Sequence, residues 1–172
     1  MPPTDTPEDL SGPSAYPCRP PVHGRRPRAP TQVSLQLPAD TIAPSMARHQ
    51  LRRWLAAAQW PAEDVDDIVM AASEAVSNSA EHAYAGRPAG FVDLQATIET
   101  LSDGRRRIIC VITDYGRWRP VPVEHENRRR GLPLMRAVME TVTIDPRSDG
   151  GDQARYTRVV LTSRPIPPAG DR

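Results

Sequence analysis

Strict alternation of polar and apolar residues in TQVSLQL places Val33, Leu35 and Leu37 on one side of a strand. The period then changes. Met46, Leu51, Trp54, Leu55 and Ala58 recur at helical spacing from a start near Pro44 until Trp60-Pro61 interrupts, and a second helix runs from that proline to about Ala85. On this second helix Val65, Ile68, Val69, Ala72, Val76, Ala80 and Ala83 fall within a stripe of roughly 120°, its expected core face. After Gly86-Arg87-Pro88 the alternation returns, with Val92, Leu94, Ala96 and Ile98 inward and Asp93, Gln95, Thr97 and Glu99 outward. Ser102-Asp103-Gly104 supplies hairpin-turn chemistry, and the unbroken apolar run RIICVIT suits a central strand. DYGRWRPVPVEHENRRR is polar and proline-broken, a loop long enough to carry a function. GLPLMRAVME predicts a short helix with Pro133 near its first turn, and TVTID and YTRVVLT predict a closing hairpin around PRSDGGDQAR. The order β, α, α, β, β, loop, α, β, β buries its apolar positions if helices cover one face of a mainly antiparallel sheet, so the expected class is an α+β two-layer sandwich.

Composition sets the limits of this domain. Of the 20 prolines, nine fall in the first 30 residues, a stretch with almost no branched aliphatic side chains and too little apolar surface to offset the entropy of ordering. Residues 1–30 are therefore expected to form a disordered tail, 31–165 one domain with one core, and 166–172 a short disordered C-terminal tail. The tail lacks the apolar region of a signal peptide, and no later segment approaches the roughly 20 apolar residues of a membrane span. A cytoplasmic protein without membrane contact is expected. Arginine supplies all 22 cations, against 21 Asp+Glu, for a net charge of +1. Without lysine, a GxxxxGK[ST] phosphate loop, a VAIK-type kinase lysine and a Schiff-base enzyme are excluded. The near-zero balance and the absence of a recognisable DNA-binding motif argue against direct nucleic-acid binding. Cys18 lies in the tail and Cys110 in an apolar run, a placement that suits neither a structural disulfide nor a catalytic thiol.

Three groups of residues could carry chemistry. Glu74, Asn78 and His82 are spaced four apart on the second helix, drift by about 40° per step and form a stripe nearly opposite the core face. A solvated face would look similar, yet Ala71 and Ala75 lie on that side, where long charged side chains are usual, and their small size would let a ligand or loop approach. Asp114-Tyr115-Gly116 follows the central strand. It is either a common turn or a carboxylate placed to accept from an exocyclic amine, with a glycine giving access to the backbone. Arg128-Arg129-Arg130-Gly131 opens the short helix, and is either an exposed basic run or a phosphate site of free amides and guanidiniums.

Taken in order, Glu-x-x-x-Asn on a helix, Asp-x-Gly after a central strand and Arg-Gly-Leu opening a helix about 15 residues later resemble the ATP-binding core of the GHKL superfamily of gyrase, heat-shock protein 90, sensor histidine kinase and mismatch-repair ATPases. SEAVSNSAEHAY and RRRGLPLM are more narrowly similar to the N-box and second glycine box of the anti-sigma regulatory factors of the serine-kinase type, small stand-alone members of which are common in actinobacteria. The resemblance covers Thr31 to about Leu161.

It implies that Asn78 binds the Mg²⁺ bridging the ATP phosphates and that Glu74 is the catalytic general base. Asp114 would accept from the adenine amino group, with Gly116 making room for the ring. Arg117 to Arg130 would form a lid, Arg130 lying beside the phosphates and Gly131 and Leu132 presenting amides to them. His82 would line the pocket and Thr157 would reach the adenine side. The first glycine box is incomplete, because Trp118 replaces its last glycine, and Tyr156 replaces the glycine usual before Thr157. The implied activity is ATP-dependent phosphorylation of a serine on an anti-sigma factor antagonist, by a protein that also binds a sigma factor. The alternative is a nucleotide-binding partner-switch module without phosphoryl transfer. Arg48, Arg52 and Arg53 on the first helix are either a partner surface or a solvated face. Many relatives are dimers, so a homodimer stays open.

Overall fold

The computed structural model describes residues 30–82, 90–116, 131–148 and 154–168. Its strands are β1 (Gln32–Pro38), β2 (Phe91–Thr100), β3 (Arg106–Asp114), β4 (Thr141–Ser148) and β5 (Ala154–Thr162), and its helices α1 (Ala43–Ala57), α2 (Ala62–His82) and α3 (Gly131–Val138). The strands pair antiparallel in the order β1-β2-β3-β5-β4, with the apolar run of β3 at the centre. The expected α+β sandwich is the one observed.

Strand register gives the sheet a single covered face. Leu37, Val92, Leu94, Ala96, Ile108, Cys110, Ile112, Val159 and Leu161 occupy paired positions of one parity, and all are buried in the same core as the helices. The opposite parity carries Ser34, Gln36, Gln95 and Thr97, all exposed. RIICVIT, continuous as a string, is thus divided by the pleat: Ile108, Cys110 and Ile112 are buried while Ile109 and Val111 are only half-buried. Between β2 and β3 the turn residue Gly104 has φ +84°, a conformation that glycine adopts without a Cβ penalty.

Two expectations about the helices need correction. On α1 the buried residues are Ala43, Ala47, Leu51, Trp54 and Leu55, whereas Met46 is 41% exposed. Met46 lies five residues before Leu51, about 140° away around the helix, so Ala47 takes the core position. On α2, Ala71 and Ala75 do not border an open surface. They are fully buried together with Ala72 and Val76, because α2 packs against α1, α3 and the sheet and so has core on more than one side. At the C-terminal end, Ile166 is buried and exchanges backbone hydrogen bonds with Arg106. Cys18, the expected lid over 117–130 and the tail over 1–29 lie outside the described residues. Among the described residues no helix is long and apolar enough to cross a membrane.

α1 begins without a capping side chain at Ile42, and Asp40 does that work from two residues earlier. Its Oδ1 accepts from the N–H of Ile42 at 2.8 Å and of Ala43 at 3.2 Å, satisfying donors that the helix leaves free. Asp40→Ala is expected to lower the unfolding free energy by about 1 kcal/mol, read as a shift in urea midpoint at unchanged slope.

Candidate functional site

Strand parity aims an acid into the helix layer. After the buried Ile108, Cys110 and Ile112, the next residue of that parity is Asp114, the last of β3 and 4% exposed. Burial pushes its carboxyl above the ordinary carboxylate range, and three donors oppose the shift: the Ser79 hydroxyl on α2, the Gly116 N–H at 3.3 Å from Oδ1, and the Thr157 N–H. Thr157 is buried and directly opposite Asp114 on β5, so β3, β5 and α2 each contribute to the carboxylate's shell.

A raised native pKa means that the folded protein holds this proton more tightly than the unfolded chain does. The sign follows: the group's contribution to stability is greatest below the ordinary aspartate pKa of about 3.9 and declines as pH rises to the native value. The wild-type urea midpoint, measured against that of Asp114→Ala, is expected to fall across this window and level off above it.

A second group lies where α2 meets α3. Glu74 and Asn78, one turn apart and both half-buried, face the first residue of α3. A Cβ on Gly131 would stand 3.0 Å from Glu74 Oε2, 3.4 Å from Asn78 Nδ2 and 3.8 Å from its Oδ1. Glycine therefore lets a carboxylate and an amide sit against the start of a helix, where the first N–H groups lack intrahelical partners and favour negative charge. No acidic residue occupies the first turn of α3. The two groups are joined through α2, since Ser79, bonded to Asp114, directly follows Asn78.

The structure thus brings together Glu74, Asn78 and Gly131, and, one residue further along α2, Asp114, Gly116 and Thr157. Glu74 and Asn78 are half-buried and lie against the first residue of α3, unlike a fully solvated face. The Leu132 side chain packs against the core, leaving its backbone for any role at the helix start. His82 ends the described part of α2, its side chain outside the described residues, as is Arg130. Ser79 lies within the stretch SEAVSNSAEHAY, yet the resemblance assigns it no role. Burial raises the Cys110 thiol to about 12, which keeps it protonated and unsuited to catalysis. On α1, Arg48 donates to the Oγ of Ser73 and of Ser45, each at 2.7 Å, and Arg52 pairs with Asp66 at 2.7 Å, so two of the three arginines considered as a partner surface are held within the chain.

Among the described residues no three His, Cys, Asp or Glu side chains gather as a metal cage. Such a cage is not what Mg²⁺ needs beside phosphates, where one or two protein oxygens complete a shell of phosphate oxygens and water. The Asn78 amide oxygen beside the Glu74 carboxylate fits that role.

Residues 37–158 match the histidine kinase-like ATPase domain. Among solved structures, the RsbU and RsbW domains of Rv1364c from Mycobacterium tuberculosis align at 29% identity and a TM-score of 0.56, over 80% of this chain and 33% of that one. This chain therefore spans about a third of that protein. The SiaB–SiaC complex from Pseudomonas aeruginosa aligns at 13% identity and a TM-score of 0.41, over 78% of this chain and 89% of that one.

Proposed function

The chain belongs to the histidine kinase-like ATPase domain family, and from that premise we propose that it is an ATP-binding anti-sigma regulator that phosphorylates a serine of an anti-sigma factor antagonist. The observation that carries the reading is the meeting of Glu74 and Asn78 at Gly131, with the Asp114 carboxylate tied in by the next residue of α2. Asp114 accepts from the adenine amino group, Gly116 leaves room for the ring, and Thr157 closes the adenine side. Asn78 would hold Mg²⁺, which would supply charge neutralisation at the phosphates. The amides of Gly131 and Leu132, with Arg130 beside them, receive phosphate oxygens. His82, one turn past Asn78, lines the pocket.

Glu74 takes the proton of the attacking serine hydroxyl. The seryl oxygen bonds to the γ-phosphorus as the bridging P–O bond breaks, and its electrons leave with ADP. The phosphoserine adds about two negative charges at the antagonist interface, weakening that complex and freeing the regulator for its sigma factor. Arg53, the member of the α1 trio without an identified bond among the described residues, would meet either partner.

A second reading is a nucleotide-binding partner switch without transfer. It is favoured by Trp118 and Tyr156, bulky where the family usually has glycine. Purified full-length protein with Mg²⁺, γ-labelled ATP and a candidate antagonist separates the two. Label on an antagonist serine supports the kinase, ATP binding without label supports the second reading, and no binding at millimolar ATP would sink both. Sedimentation of the same sample decides between monomer and homodimer.

A further inference from the structure

The inward row of β3 has a charged residue at each end, since Arg106, Ile108, Cys110, Ile112 and Asp114 share one parity. Asp114 belongs to the site already described. Arg106 starts the strand, about 26 Å away at the strand's rise per residue, and reaches the Trp60-Pro61 connection that leads from α1 into α2. The arginines on either side of it each meet a carboxylate, Arg105 with Asp103 at 2.7 Å and Arg107 with Glu99 at 2.5 Å. Arg106 turns inward instead. Its guanidinium lies over the Trp60 ring, 5.3 Å from the centroid.

Two N–H groups of this stacked pair have no acceptor among the described residues: Arg106 Nε and the indole Nε1 of Trp60, both closed to solvent. Trp60 is 6% exposed and Arg106 half-buried. A ring face offsets part of the cost of burying a guanidinium, but it does nothing for the indole N–H, which lies in the plane of the ring. Comparable donors in this domain are served. The indole N–H of Trp54, as deeply buried, donates to the Pro30 carbonyl at 2.8 Å, and Arg48 donates to two serine hydroxyls. Trp60 and Arg106 thus present two N–H donors and a positive charge with no acceptor facing them, and the chemistry that complements such a pair is an oxyanion.

We propose that Trp60 and Arg106 form a binding site for a small oxyanion, a phosphate or a carboxylate, at the opposite end of β3 from the nucleotide site and independent of it. One oxygen of the anion takes the Arg106 Nε–H and another takes the indole N–H of Trp60. Neither donor is open to water, so the anion enters as the half-buried guanidinium shifts across the ring. Once bound, it braces the connection that starts α2, the helix that carries Glu74 and Asn78 further along.

The test measures urea midpoints of the full chain at constant ionic strength while sodium chloride is replaced by sodium phosphate or by sodium acetate. An anion that binds the folded state raises the midpoint as its concentration passes Kd. Wild type should show a saturable rise with at least one of the two, and the tighter one identifies the class, phosphate or carboxylate. Arg106→Met, which keeps an apolar stem against the ring without the charge, should lose the rise. Trp60→Phe, which keeps a ring and drops the N–H, should weaken the apparent affinity about tenfold, the order expected for one hydrogen bond to a charged group. The midpoint of each variant in chloride verifies that it folds. Phosphate also stabilises proteins through its exclusion from their surface, an effect that does not saturate and is common to all variants. A saturable rise that Arg106→Met retains would place the anion elsewhere, the nucleotide site included, and overturn the proposal. An affinity unaltered in Trp60→Phe, or no saturable rise with either anion in wild type, would overturn it as well.

Discussion

Glu74→Ala is expected to lower phosphoryl transfer to the antagonist by about a hundredfold to ten-thousandfold, the range that a positioned general base contributes, while ATP affinity stays within about twofold. The asymmetry follows from geometry. Glu74 Oε2 stands at the start of α3 beside Asn78, where the proposed mechanism puts the attacking group, whereas Asp114 is the group proposed to meet the base. The loss should therefore appear in kcat at saturating ATP, measured as the rate of label transfer. A variant with unaltered kcat would show that another group takes the proton. Glu74→Gln should resemble the alanine variant, since the amide matches the carboxylate in shape and lacks its basicity.

Asp114→Ala is expected to act on the other parameter. Without the carboxylate, the Ser79 hydroxyl and the amides of Gly116 and Thr157 lose their acceptor, and the adenine amino group loses its own. ATP should bind about ten- to a hundredfold more weakly, the equivalent of one hydrogen bond to a charged group, as read by calorimetry. At saturating ATP the transfer rate should recover most of its wild-type value, which separates recognition at Asp114 from chemistry at Glu74. The far-ultraviolet circular dichroism of the variant should match wild type, because Asp114 ends β3 and the ladder with β5 does not depend on its side chain.

Much of this site is legible in the sequence. Glu74 and Asn78 share a helix stripe by spacing alone, and Asp114 and Gly116 follow the run that becomes the central strand. Other features are hidden there for definable reasons. The helical wheel of α2 shows angles but not neighbours, so Ala71 and Ala75 suggest an approachable surface when their small size serves close packing inside the protein. Met46 reads as a core residue by its hydrophobicity, while its angle around α1 turns it outward. Ser79 stands inside the N-box-like stretch, but the resemblance gives it no role. A serine among alanines acquires meaning only when the strand that ends in Asp114 is laid beside it.

Local patterning is enough to specify the strands, the helices and their order here, since a period of two or of 3.6 residues is a property of consecutive side chains and needs no partner. It is also enough to put Asp114 on the inward parity of β3. The grouping of Gly131 with Glu74 and Asn78, and of Thr157 and Ser79 with Asp114, joins positions from 35 to 57 residues apart in the chain. Such contacts depend on the order of strands in the sheet and on the packing of α2 between α1, α3 and that sheet. Burial of apolar surface drives both, without regard to the polar groups that come to lie together as a result.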